Sequence, residues 1–326
     1  MISRVADHCF WFGRYVERAE ATARMLGASV SLALDAELPS AQVWRPVIVV
    51  TGEEDQYREA QCAGDDEHAA WGEAEVVQRF MVWADTNNSS LHQTLRAARW
   101  NARSIREVLS LETWEAVNEL HLWSDSSTAQ AVYANHRDQF YRHVRGGTQL
   151  ALGLMRSTML HDEPLDFIWL GVLLERVGQT ARMLDVHHHA FTLASRNVGG
   201  EIVETALWLS LLRALSGSEA YLKRSAGRVS SDAVARFLVS EPAFPRSIAY
   251  CVHSAHDRLC GIRPPDRHDL PGGTSLEQLR VLDAWLTARA KEPLAGSSVH
   301  DLLTHVVDEV QEICGQLGKE LLGATA

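Results

Sequence analysis

Residues 9–26 read CFWFGRYVERAEATARML and residues 167–184 read FIWLGVLLERVGQTARML. Laid over one another at an offset of 158, they share Trp, Gly, Glu, Arg, Thr, Ala, Arg, Met and Leu, nine of eighteen positions. Arg79-Phe80-Met81-Val82 matches Arg236-Phe237-Leu238-Val239, and Ser90-Leu91 matches Ser247-Ile248, both at an offset of 157. Between these matches, Trp44 with Tyr57 and Trp208 with Tyr221 keep a 13-residue spacing at an offset of 164. Three colinear matches predict duplication of a helical unit, and so long a period excludes a solenoid of short repeats. The expectation is an all-α helical bundle of two duplicated halves sharing one core. It is a single domain over 1–326, with a first half over about 1–125, a connecting helix over about 126–162 and a second half over about 163–322.

Apolar residues recur at helical spacing over 3–34, 89–109, 130–160, 166–194, 202–224, 245–259, 275–290 and 298–322. Ser89, Ser90 and Ser298 are placed to cap helices, because a short hydroxyl accepts the free amides of a first turn. The one strand-like run is Val47-Ile48-Val49-Val50, and the acidic stretch 52–72 reads as exposed and partly loop.

Composition narrows the function classes. With 46% hydrophobic and 22% charged residues the chain has material for a sizeable core. A net charge of −11 argues against a nucleic-acid binder held by backbone phosphates. Five cysteines, none in a CxxC pair, build neither a disulfide scaffold nor a thiolate zinc site. No run of 18 apolar residues is present and the opening residues lack a signal-peptide pattern, so the expected setting is the cytoplasm, without membrane partners. Only three of the 31 basic residues are lysines. Coding bias accounts for that; the sharper alternative is a need for the planar fork of arginine, which grips carboxylate or phosphate in two bonds.

The repeated helix carries the candidate chemistry. Glu17 and Arg24 lie two turns apart along one side, with Arg18 beside them, and the second copy repeats this with Glu175, Arg176 and Arg182. A glycine inside a helix costs about 1 kcal/mol, so its presence in both copies, Gly13 and Gly171, predicts close approach of another backbone. The Glu–Arg pairs are either a buried clasp setting the register of the halves or the lining of a shared polar cavity. Arg96, Arg99, Arg103 and Arg106 recur at i, i+3, i+7 and i+10, a stripe on one helix face that needs anions opposite. Glu17 and Glu175 are candidates for those anions, as are the carboxylates or phosphates of a ligand. The aligned positions of the second half are His253, His256, Cys260 and Arg263, so only Arg106 keeps its type. That asymmetry sets a ligand- or partner-facing stripe beside a purely structural one.

Metal readings have less behind them. His187-His188-His189, read at a helix end, points three ways and cannot chelate as one face. His253, His256 and Cys260 share a face but lack the carboxylates and ExxH of bundle metal sites. No metal site is assigned. Trp11, Trp44, Trp169 and Trp208 read as core plugs, whereas Trp83, Trp123 and Trp285 are candidates for a partner-binding patch. The sequence holds no GxxxxGK[ST] loop, so this chain is not expected to bind ATP by itself.

Ser3-Arg4-Val5-Ala6, Trp11-Phe12-Gly13-Arg14-Tyr15-Val16-Glu17-Arg18-Ala19-Glu20 and Thr22-Ala23-Arg24 together resemble the opening of the alpha-E family, bacterial all-helical proteins with a Glu-Arg signature. Residues 95–106, Thr113-Trp114-Glu115-Ala116-Val117-Asn118, the stretch from Leu173-Leu174-Glu175-Arg176, and Glu241-Pro242-Ala243-Phe244-Pro245-Arg246-Ser247 resemble its later motifs, in order. The chain departs at Trp100, where a charged residue is expected, and over 63–72. Family members occur beside, or fused to, a circularly permuted ATP-grasp protein, often with a transglutaminase-like protease. ATP-grasp enzymes activate a carboxylate as an acyl phosphate that an amine attacks. The resemblance therefore implies a partner subunit of a two-component carboxylate–amine ligase. It would form a heterodimer and assist amide- or peptide-type bond formation on a carboxylate substrate such as a peptide, with ATP and Mg2+ on the partner. Glu17, Arg18, Arg24, Arg99, Arg103, Arg106, Glu175, Arg176 and Arg182 are then the substrate-binding or inter-half polar cluster. The competing reading is a helical scaffold or interaction protein whose Glu–Arg clasps are structural and take no part in chemistry.

Overall fold

In the computed structural model, residues 3–35, 38–61, 73–194, 201–225, 229–289 and 297–323 are described, and among them the chain forms fifteen helices and no strand. In chain order these are α1 (Ser3–Asp35), α2 (Ser40–Thr51), α3 (Glu54–Gln61), α4 (Ala74–Trp83), α5 (Leu91–Ser104), α6 (Leu111–Ser124), α7 (Ser127–Asn135) and α8 (Arg137–Thr158). There follow α9 (Glu163–Ala194), α10 (Glu201–Ala214), α11 (Ser218–Ser225), α12 (Ser231–Ser240), α13 (Ile248–Ile262), α14 (Gly273–Arg289) and α15 (Ser297–Glu320).

The two longest helices, α1 and α9, cross at the centre. Phe10, Phe12, Val16 and Ala19 on α1, and Ile168, Leu170, Val172 and Val177 on α9, are buried on more than one side, as expected of helices surrounded by others. Around them the contacts follow the sequence alignment. α1 packs on α5 and α8, and α9 packs on α13 and α15. Each central helix also packs across the divide, α1 on α10 and α9 on α2. Trp44 and Trp208 are fully buried. Tyr57 meets Phe80 edge-to-face at 5.1 Å, and Tyr221 meets Phe237 in the same way at 5.4 Å. One contiguous buried cluster joins all of these residues.

Serine hydroxyls start five helices. Ser90, Ser110, Ser126, Ser230 and Ser247 each accept an amide of the first turn. Ser90, not Ser89, is thus the cap of α5, and α15 begins one residue before Ser298. Two expected helices are interrupted. The stretch 130–160 breaks at His136, which is non-helical at φ −143°, ψ 62°, to give α7 and α8. The stretch 202–224 breaks where Ser216 takes φ 54° and the Gly217 amide reaches back 2.7 Å to the Leu212 carbonyl, a left-handed helix end. The strand-like run Val47–Val50 is helical instead, in the last turns of α2. Val47, Ile48 and Val50 are buried there, and that burial outweighs the few tenths of a kcal/mol that β-branching costs a helix. Part of the stretch expected to be exposed is α3, with Tyr57 buried; 63–72 lies outside the described residues.

Candidate functional site

Gly13 and Gly171 make the crossing possible. A Cβ on Gly13 would overlap the carbonyl oxygen of Ile168, and one on Gly171 would overlap that of Phe10. Backbone therefore lies on backbone at both points, and the side chains one turn further along reach across. Arg18 of α1 grips Glu175 of α9 with Nε to Oε1 at 2.7 Å and Nη2 to Oε2 at 3.0 Å. Arg176 of α9 grips Glu17 of α1 through the same atoms, at 3.0 and 2.6 Å. Each Glu-Arg dipeptide is thus divided, its acid held by the other helix's arginine.

A second guanidinium serves each acid. Arg14 donates to Glu175 Oε2 at 2.8 Å and stacks over Trp11 at 4.8 Å. Arg246, from the turn before α13, donates to Glu17 Oε1 at 2.6 Å and to Glu20 Oε2 at 2.5 Å. Glu20 also accepts from Arg24 Nε at 2.8 Å and from Gln149 at 3.3 Å. Burial alone would raise the Glu175 carboxyl, but Arg18 and Arg14 outweigh it and hold that carboxyl well below the usual range. Glu20, equally buried, is held down to about 2, by Arg246 and then Arg24. Arg182 is placed like Arg24, but the residue four before it is Gly178 where α1 has Glu20. Its guanidinium lies over that glycine, its Nε is buried without a partner, and burial lowers its affinity for the proton.

On the Glu17 side the network opens into a cleft of about 450 Å³. Its charged walls are Arg24, Arg156, Arg176, Arg246 and Arg258 against one carboxylate, Glu20; Trp169, Leu173, Phe244 and Tyr250 add apolar surface. Arg258 is paired with Asp166 at 2.8 Å, and Arg156 lies 4.8 Å over the Trp169 ring. Nearby, Cys251 donates to the Pro245 carbonyl, and burial pushes its thiol up to about 12, so it stays protonated and is a poor nucleophile.

The family model described as "A predicted alpha-helical domain with a conserved ER motif", named Alpha-E, matches residues 1–322. The chain belongs to the Alpha-E family. Its two Glu-Arg dipeptides are the pairs that interlock at the crossing. Similar proteins include one from Mycobacterium bovis and two from strains of Mycobacterium tuberculosis, all named as uncharacterised. Each is 25% identical over 289 residues, which is 83% of this chain and 30% of the relative. The chain thus spans less than a third of the length of these curated relatives. No solved structure matches it.

Of the cluster read from the Alpha-E sequence, Glu17, Arg18, Arg24, Glu175, Arg176 and Arg182 lie at the crossing, while Arg99, Arg103 and Arg106 do not. Arg99 donates to Asn118 on α6 at 2.8 Å, and Arg106 sits 4.9 Å over Trp114. Arg96 and Arg103 are exposed, without a carboxylate partner among the described residues. Neither Glu17 nor Glu175 faces the stripe, because arginines nearer in space already occupy both. The residues missed from that cluster include Glu20, Arg14, Arg246, Gln149 and Gln179, the last donating to Glu175 at 3.2 Å. Arg246 stood within the Glu241–Ser247 motif, but spacing along the chain could not reveal that the motif folds against α1.

The remaining candidates are dispersed. His253 pairs with Asp283 at 3.0 Å, and His256 lies 3.7 Å from the Cys260 sulfur. The His187 ring meets the Met183 carbonyl at 2.8 Å within α9, which continues to Ala194, so the histidine run is not at the helix end; the His189 side chain lies outside the described residues. Trp83 and Trp123 both pack on Phe140, at 5.6 and 5.3 Å, while Trp285 packs on His305 at 4.5 Å. These three tryptophans are packed in two separate places and do not form one patch. No described helix is long and apolar enough to cross a membrane.

Proposed function

We propose that this Alpha-E chain is the partner subunit of an ATP-grasp ligase, assisting ATP-dependent amide- or peptide-type bond formation on a carboxylate substrate such as a peptide. ATP and Mg2+ belong to the circularly permuted ATP-grasp protein, and this chain binds and positions. The observation that carries the reading is the reciprocal bonding of the Glu-Arg motif. Its carboxylates and guanidiniums satisfy one another in the interior, so the motif builds a frame and leaves proton transfer and nucleophilic attack to other groups. The greater length of the mycobacterial relatives leaves room for further modules on one polypeptide. We further read the matched helices, matched contacts and reciprocal clasps as the product of internal duplication within one domain.

Co-expression with the ATP-grasp protein tests the partnership. One size-exclusion peak at micromolar concentration is expected, with an interface of more than roughly 1,000 Å² and ATP turnover that depends on both chains and a carboxylate substrate. Two separate peaks would overturn it. The same reciprocal bonding favours a second reading, a helical scaffold with no part in the chemistry. A stable complex whose turnover does not change when this chain is left out would establish that reading.

A further inference from the structure

On the cleft side of the crossing, the pairings are incomplete. Arg176 and Arg246 share Glu17, Arg246 and Arg24 share Glu20, and Arg258 has Asp166. Arg156, at the cleft mouth on α8, has no carboxylate partner among the described residues and is held only by the face of Trp169. Further back on the same face of α8, Arg145 has its Nε buried with no hydrogen-bond partner. Burial, and then the nearby Arg24, lower the proton affinity of Arg145, with Asp138 and Glu20 acting the other way. The cleft therefore keeps a surplus of positive charge inside a protein of net charge −11. Like charges gathered in a half-enclosed site repel one another unless an anion joins them.

We infer that this cleft binds a carboxylate-bearing ligand, its carboxylate seated against Arg156 at the mouth and its apolar part on Trp169 and Phe244. The identification of that ligand with a ligase substrate rests on the partner-subunit reading; the binding itself does not. Two observations favour a carboxylate over a phosphate. The neighbouring guanidiniums already hold two carboxylates, Glu17 in the two-bond fork of Arg176 and Glu20 between Arg246 and Arg24. Glu20 also lines the cleft, and its negative charge repels a dianionic phosphate more than a monoanionic carboxylate.

The isolated chain is titrated calorimetrically at constant ionic strength with three probes: acetyl-dialanine bearing a free carboxylate, its C-terminal amide, and inorganic phosphate. Saturable millimolar binding of the acid is expected, with the amide and phosphate each at least about tenfold weaker. Arg156→Gln, which removes a surface side chain outside the clasps, should weaken acid binding about tenfold. Arg103→Gln, which removes the same charge from the exposed stripe, should leave it unchanged. Equal binding of acid and amide, tighter binding of phosphate, no saturation by the acid, or equal weakening by Arg156→Gln and Arg103→Gln would each overturn the inference. Because no partner protein is present, these outcomes are separate from success or failure of the co-expression experiment.

Discussion

Glu17 and Glu175 occupy matching places on two crossing helices and are held by matching arginine forks, but their surroundings differ. Glu175 has Arg14, Arg18 and Gln179 around it and no second acid in the bonded cluster. Glu17 has Glu20 one turn on; Arg246 bridges the two acids, and Glu20 also takes Arg24 and Gln149 and forms part of the wall of a cleft. The difference follows three aligned pairs, Glu20 against Gly178, Arg14 against Val172 and Ser89 against Arg246. With the carboxylate, an arginine four residues on is paired; without it, the Arg182 Nε is left with no hydrogen-bond partner. Two helices that share nine of eighteen aligned residues can therefore carry one closed clasp and one that extends into a cleft.

The strongest way to break the comparison is to remove what the two sides share. Gly13→Val and Gly171→Val each drive a side chain into a rigid carbonyl at the point of closest approach. Each should destabilise by more than about 4 kcal/mol, seen as loss of a cooperative thermal transition by circular dichroism. A much larger effect at one glycine than at the other would show that the crossing is not shared evenly.

Next come the acids. Glu175→Gln leaves Arg14 and Arg18 without a bonded carboxylate and should cost about 3–5 kcal/mol. Glu17→Gln leaves Glu20 still holding Arg246 and should cost at least about 1 kcal/mol less. Chemical denaturation of the two variants measures the gap, and a larger loss for Glu17→Gln would contradict the role given to Glu20.

Acid titration gives a smaller, graded effect. Glu175 and Glu20 are both held below the ordinary carboxylate range in the folded protein. Their folded pKa values are lower than the unfolded ones, so their contribution is fully present above about pH 4.3. It is lost as pH falls through the folded values, about 2 for Glu20. The melting temperature should be flat from neutrality to about pH 5 and fall below about pH 4. Glu20→Gln should flatten that fall, as scanning calorimetry across the range would reveal.

The smallest effects belong to the arginine positions that the alignment pairs as Arg106 and Arg263, and to the stripe beside them. Arg263 is buried and donates to the Leu270 carbonyl at 3.2 Å, so Arg263→Lys should cost about 1 kcal/mol. Arg103 is exposed and unpaired by any described carboxylate, and Arg103→Lys should stay within about 0.5 kcal/mol of the parent. Thermal melts of the two variants side by side measure the difference.

The long helices were legible because an apolar pattern sustained over many turns outweighs local noise. The 14-residue α6, whose apolar stripe is weak, the 10-residue α12 and the breaks at His136 and Ser216 were not, since a weak or short pattern, or one or two residues, decides them. The stripe of Arg96, Arg99, Arg103 and Arg106 shows a similar boundary within the site. Its spacing correctly puts these residues on one side of α5 and the turn after it. What faces that side is α6, with Trp114 and Asn118, not the central acids.

The amino-acid sequence by itself determined the helical class, the alignment of α1 with α9, and the need for close approach at Gly13 and Gly171. Those follow from periodicity and from the cost of an unexplained glycine, both local properties of the chain. Only the tertiary structure decided that each acid is held by the other helix's arginine, that Arg246 joins from a loop more than two hundred residues away, and that the surplus charge gathers on one side. Ion-pair partners are set by which side chains meet in space after the backbones have packed, and a guanidinium bonds whichever carboxylate lies within about 3 Å, however distant it is in the chain.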